Sequence, residues 1–462
     1  MIQALADISP EMKALSSRIA GARARRLPKA VAAKARMHVL DTFAAMVSGS
    51  RLLPGRRAIA YAGGLGGTRE AGIAGSRIVT TAANAALANG MLAHADETDD
   101  SHVSSHTHPG CAVVPAALAA AERAHAPGVA FLRAVVLGYD VCCRATKALD
   151  VDAFTAACRS PHSFGGTFGA GAAAGMLLGI DAVQARFLLS YCAQMASGCT
   201  SNVRDTEHVE KAFDFAGMPA HAGTLAATMV AAGFTGVDDV FSGERNFLEA
   251  YSPNPRIGAL TDGLGRHYEI MDTNIKRWTV GSPMQAALDS MEWLMRNEGL
   301  HAGNVDSVAI HLPTRSSRTV DNAPMPNINA QHLAALMLTD GTLTFASSHD
   351  MARMAEPAIT KLRARIRVVP SDALMRARPR RQAIVEAVTT DGRQVRRRTR
   401  AVRGTADNPM TWDEVAAKAR SLIDPVLGPR KAKRLVAAVE TIEGIDDMVG
   451  LRPLLATRTE GT

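Results

Sequence analysis

Apolar residues in the first half of the chain recur every three to four positions. Val31, Ala35, Val39 and Phe43 fall on one face, which predicts a helix over Val31 to Met46. The same period predicts helices over Ala82 to Ala93, Val114 to Ala124, Gly128 to Ala148, Gly165 to Leu178, Ala182 to Gly198 and Pro219 to Gly233. Several are built mostly of Ala and Gly, as in the run from Gly169 to Gly175. Glycine costs about 1 kcal/mol relative to alanine inside a helix, so such segments are expected to be buried against close neighbours.

The period changes after Tyr268. Val305 to Leu312 and Ala364 to Val369 alternate and are rich in β-branched residues. Gln382 to Thr389 and Gln394 to Val402 flank Asp391-Gly392, a hairpin signal. Ala330 to Thr339 and His349 to Glu356 read as helices between the strands, which makes this segment an α+β module. From Thr411 the helical pattern returns, and Thr411-Trp-Asp-Glu414 has the form of a capping box. The predicted fold is mainly α, with a large helical domain built from both chain ends and a smaller α+β domain inserted between them. The predicted boundaries are 1–268, 269–405 and 406–462.

Composition narrows the function. A length of 462 residues favours two or three domains with room for a deep pocket. Only 4% of residues are aromatic, which suits closely packed helices rather than an aromatic-rich sandwich. The net charge of +8 comes with basic runs at Arg23 to Arg26, Arg376 to Arg381 and Arg396 to Arg400. These runs lack interleaved stacking aromatics, so nucleic acid is not the expected partner. A mild positive excess suits a small polyanionic substrate. The six cysteines form no Cys-x-x-Cys pair and read as free thiols of a reducing compartment. No signal-like N-terminus and no membrane span are evident, which makes a cytoplasmic, membrane-free protein the expectation.

Residues 89–110 concentrate the chemistry, because four histidines (His94, His102, His106, His108) and four acids (Asp96, Glu97, Asp99, Asp100) crowd into one stretch between apolar helices. His108 precedes a helix whose first amides could receive a carboxylate. Two other readings compete. The histidines with Asp99 or Asp100 offer ligands for zinc or iron, although the chain has no His-Glu-x-x-His and no second matched cluster. A non-catalytic carboxylate-binding protein is also conceivable, but binding has little use for so many groups that titrate near neutrality. Arg159 could hold a substrate carboxylate through its two-pronged guanidinium.

The order Asn89-Gly90-x-x-x-His94-x-x-Glu97-x-Asp99-Asp100-Ser101, followed by His108-Pro109-Gly110 and an alanine-rich helix, resembles the MmgE/PrpD family. The resemblance extends over nearly the whole chain, through Leu40-Asp41-Thr42, Gly165 to Gly179, Lys211, Lys276-Arg277-Trp278 and Asn408-Pro-Met-Thr-Trp412. It implies an all-helical domain, an α+β lid domain, a pocket between them and a homodimer. It also implies chemistry without metal or organic cofactor on a small di- or tricarboxylate, with proton abstraction next to a carboxylate. Dehydration of a hydroxy acid is the leading outcome; decarboxylation and epimerisation are the alternatives.

Carried onto this chain, the resemblance makes His108, Lys211, Lys276, Glu97 and Ser101 catalytic candidates. His162, Arg159, Asp99, Asp100 and His94 are the candidate substrate contacts. Two departures stand out: a glutamate, Glu97, replaces the usual aspartate, and the family's His-Pro pair reads Ser160-Pro161 here, with His162 one residue further on.

Overall fold

The computed structural model describes residues 8–457. The fold is mainly α with a small α+β region. The chain divides into two compact units, one formed by residues up to Thr273 together with those from Val415 onward, the other by Asn274–Glu414. The sequence placed these breaks at 268/269 and 405/406.

The first unit contains α1 (Pro10–Gly21), α2 (Lys29–Gly49), α3 (Ala82–Ala93), α4 (Pro109–Arg123), α5 (Gly128–Ala148), α6 (Pro161–Leu177) and α7 (Met218–Ala231) among its helices. Helix α6 is buried on almost every side and lies against α4, α5 and α7. Its small residues make this possible. A Cβ on Gly169 would sit 2.6 Å from the Gly138 carbonyl oxygen of α5, and one on Gly223 of α7 would sit 2.4 Å from the Gly171 amide nitrogen. Backbones therefore meet where side chains would have kept them apart.

Two helices begin a turn or more before their apolar period does. Helix α4 starts at Pro109, five residues ahead of the expected Val114, and α6 starts at Pro161 instead of Gly165. Each begins at a proline, whose fixed φ suits the first helical position and whose missing N–H costs nothing there. Pro115 in α4 imitates such a start but lies inside the helix. These early starts place His108 and His162 at helix N-termini.

The second unit holds a four-stranded sheet of β1 (Val305–Pro313), β2 (Ile366–Ser371), β3 (Ala383–Thr389) and β4 (Gln394–Thr399), in the order β2-β1-β3-β4. Strands β1 and β2 are parallel; β3 is antiparallel to β1 and to β4. The β3-β4 hairpin turns at Gly392 with φ +85°, a conformation glycine adopts without strain. Leu288, Met291 and Leu294 of the helix Gln285–Glu298, with Val308, Ile310 and Val385, lie in the core of this unit. The helix expected over His349 to Glu356 is broken: Asp350 caps the Ala352 amide at 2.9 Å, and Pro357 starts a new helix over Pro357–Arg363. A residue preceding proline avoids the helical region, so no helix runs through Glu356. The capping box at Thr411 forms, with reciprocal bonds of 2.7 and 3.3 Å to Glu414.

No described helix is long and apolar enough to cross a membrane.

Candidate active site

Helix α3 ends at His94 and α4 begins after His108, so the polar stretch is the connection between two buried helices. A loop in that position must satisfy its own polar groups. Asp96 accepts from the Thr98 amide at 3.0 Å and from the Thr98 hydroxyl. Asp100 uses both oxygens: Oδ2 accepts from His38 Nδ1 at 2.8 Å and from the Tyr139 hydroxyl at 2.6 Å, and Oδ1 accepts from the Gly110 amide at 3.0 Å. Asp100 is thus an anchor joining α2, α5 and the start of α4. The Gly110 amide, expected to be open to a substrate carboxylate, is taken by this carboxylate of the protein.

Asp99 works differently, because its Oδ2 lies 2.9 Å from His94 Nδ1 and 3.0 Å from His108 Nδ1. An ionised carboxylate only accepts, so both imidazoles carry their proton on Nδ1. Nε2 is then the nitrogen with which each can accept a proton. His94 is fully buried, whereas the His108 side chain keeps 10% exposure.

A ring outside the loop organises the rest. Phe215 lies in a π-helical turn, Phe213–Gly217, of the kind that often marks functional sites. His162 stacks on Phe215 with centroids 3.6 Å apart, and His94 stacks on it at 4.6 Å. His108 is 5.6 Å away, and Lys211 Nζ stands 5.2 Å from the ring centroid. Lys211 also pairs with Glu97, 114 residues earlier in sequence. His208 joins the group, its ring 5.2 Å from that of His94. The buried nitrogens His94 Nε2, His162 Nδ1 and His208 Nε2 have no hydrogen-bond partner. Orphaned polar atoms are rare in interiors, and three facing one cluster point to a polar ligand.

Charge follows from burial here. Desolvation, reinforced by Lys211 and neighbouring imidazoles, pushes His162 well below its usual pKa and His208 down to about 3. Both are neutral at physiological pH. Asp214, beside Phe215, is raised to about 6 by burial despite hydrogen bonds from Ser160 and Ser163. Ser160, which stands where the family has histidine, donates to Asp214 at 2.6 Å. This bond ties the start of α6 to the π-turn, and His162 stands two residues further along the chain.

The depressed pKa of His208 has a measurable consequence. Its unfolded form takes a proton near pH 6.5, while the folded form resists until about pH 3. Between those values the unfolded state binds more protons, so stability falls as pH falls. From pH 7 to 5 this linkage removes roughly 2 kcal/mol. Urea titrations are expected to show a flatter pH dependence in His208→Asn than in the parent; equal slopes would contradict the buried neutral imidazole.

The other candidates lie as follows. Ser101 is buried in the two-residue strand Ser101–His102. His102 turns to Ser105 at 2.7 Å and to Glu269 at 3.2 Å. Burial opposes charge on His102, while the Glu269 carboxylate 3.2 Å away favours it and holds the imidazole pKa above its usual value. His106, at φ +52°, points toward exposed Asp152 at 3.6 Å. Arg159 donates to the Tyr251 carbonyl and lies over the rings of Phe154 and Tyr251, at 5.7 and 5.4 Å, contacts that fasten its loop. Lys276 belongs to the second unit and is buried there.

Ligand atoms suited to a metal gather at His94, Glu97 and His208; at His94, Asp99 and Cys111; and at His102, Cys143 and Glu269, each set within 4.8 Å. A dication at the first would compete with Lys211 for Glu97, and one at the third would meet Lys147, 2.5 Å from Glu269. Resident lysines disfavour a further positive charge.

Sequence reasoning had no signal for Phe215, His208 or Asp214. Each is a lone residue in an ordinary stretch, and only folding brings it to the loop.

Comparison with known proteins identifies related sequences along most of the chain. Residues 13–259 match the MmgE/PrpD N-terminal domain, and residues 278–443 match the MmgE/PrpD C-terminal domain. The Cis-aconitate decarboxylase-like protein oryM of Aspergillus oryzae is 23% identical over 407 residues, covering 80% of this chain and 82% of the relative. With more than half of its length in the first match alone, and the second taking in most of the remainder, the chain belongs to the MmgE/PrpD family.

Proposed function

We propose that this protein is a lyase that acts on a small hydroxy di- or tricarboxylate without a metal or organic cofactor. The observation that carries the reading is the His108–Asp99 pair beside Lys211 and the unpartnered nitrogens of His94, His162 and His208. His108 Nε2 takes the proton from the carbon next to a carboxylate, and Asp99 stabilises the imidazolium that forms. Lys211 and neutral His162 face the charge that develops on the substrate carboxylate as an enolate-like state. The electron pair of the broken C–H bond forms the double bond, and hydroxide departs with a proton from a neighbouring acid. Lys276 keeps the part that the resemblance gives it, a second cation for the substrate.

Decarboxylation is a second reading, favoured by the name of the Aspergillus relative. Carbon dioxide would then leave, and the carbanion would be reprotonated by the same imidazole. Incubation with a carboxylate panel in deuterium oxide, followed by proton NMR, separates the outcomes: loss of water, loss of carbon dioxide, or deuterium exchange alone. Turnover is expected to survive dialysis against a chelator. Activity abolished by chelation and restored by one metal would overturn the cofactor-free reading, and no catalysis on any carboxylate would favour a binding protein.

A further inference from the structure

The arginine run Arg23–Arg26 plays no part in the chemistry above, yet it borders a cavity of about 310 Å³ in the first unit. Arg18, Arg25, Arg26 and Arg133 line this cavity with Tyr268, and no Asp or Glu is among its walls. Arg18 projects from α1 and is nine-tenths buried. Its guanidinium lies 5.8 Å from the Tyr268 ring, and its Nε has no hydrogen-bond partner. Arg133 donates to the Arg23 carbonyl, which ties the run to α5. Among the described residues, no carboxylate lies within ion-pair distance of any of these four arginines.

A guanidinium is never deprotonated in a protein, and the buried Asp140, which acts on Arg18 and is itself raised to about 7 by burial, offsets at most one of the four charges around this cavity. Water could solvate the exposed pair, Arg25 and Arg26. It serves poorly for Arg18, which is buried, whose Nε has no partner, and on which the buried Asp140 acts without an ion-pair contact. Arginine forks match the oxygens of phosphate and carboxylate groups. The volume is at the small end for ligand sites, which suits a compact ligand and leaves no room for a nucleotide.

We propose that this cavity is a second, non-catalytic site that binds a compact polyanion with at least two negative charges, of pyrophosphate or tricarboxylate type. The site is separate in sequence and in lining from the histidine cluster, and it stands whether or not the lyase reading does.

Isothermal titration of the full chain with pyrophosphate, and separately with citrate, at constant ionic strength tests it. At least one of the two is expected to bind this cavity saturably, pyrophosphate with one-to-one stoichiometry and citrate with one equivalent that remains in Lys211→Ala, and the tighter arm identifies the source of the anionic oxygens. The affinity is expected to fall roughly tenfold or more in the exposed pair variant Arg25→Gln/Arg26→Gln, and again in Arg18→Gln. The pair variant lies outside the core and guards against misfolding at Arg18. Binding retained in Lys211→Ala would keep the ligand at the arginine cavity. The proposal is overturned if neither anion binds, if sodium chloride reproduces the heat, or if binding persists in the pair variant and disappears in Lys211→Ala.

Discussion

His108→Ala is expected to lower kcat for the accepted carboxylate by about 10²–10⁴-fold, the range for losing a positioned general acid or base. Three features of this imidazole make the effect large. It is more exposed than His94, its Nδ1 proton is fixed by Asp99, and Lys211 and His162 gather beside it around one phenylalanine. The fold should be nearly indifferent. The side chain makes no capping bond to α4, and Asp99 retains His94 when His108 is removed. Unfolding free energy is therefore expected to change by no more than about 1 kcal/mol. Asp99→Asn sharpens the test, since an amide can donate to Nδ1 and present the wrong tautomer while preserving shape. A His108→Ala protein with parental kcat would remove this residue from the chemistry; one that has lost both kcat and stability would make its role structural.

How much of this was visible beforehand depended on the kind of interaction. Period and small-residue content foretold the buried helices, because an Ala- and Gly-rich helix is stable only against close neighbours, and Gly169 and Gly223 do touch backbone. The hairpin was readable from Asp391-Gly392, since only a few residues accept φ > 0. Helix starts were misplaced by one or two turns, because Pro109 and Pro161 open helices ahead of the apolar period. That error mattered, as it concealed His162 at a helix N-terminus facing His108. Within the loop, residue type could not separate Asp99 from Asp100. They are adjacent and chemically identical, and opposite directions along the backbone give one to the histidines and the other to α2 and α5. Arg159 shows the same limit, for the ring and carbonyl of Tyr251 that engage it come from 92 residues along the chain.

Asp100→Ala is expected to produce the largest loss of stability, about 3–5 kcal/mol, the usual cost of removing one member of a buried charged network. Burial alone would push the Asp100 carboxyl upward, but bonds from His38 and Tyr139 outweigh it and hold the pKa below the usual carboxylate range. Truncation strands three buried donors at once: His38 Nδ1, the Tyr139 hydroxyl and the Gly110 amide. Each buried group left without a partner costs about 1–3 kcal/mol, and partial rearrangement keeps the total below their sum. Asn at this position retains one acceptor oxygen, so Asp100→Asn should lie between the parent and Ala. Denaturant titration with an unchanged m-value checks this ordering. The result also discriminates between the two aspartates, for Asp99 Oδ2 holds the imidazoles of His94 and His108, whereas Asp100 ties three helices together. If Asp100→Ala were as stable as the parent but inactive, the two residues would have to exchange roles, and the anchor between helices would have to be sought elsewhere.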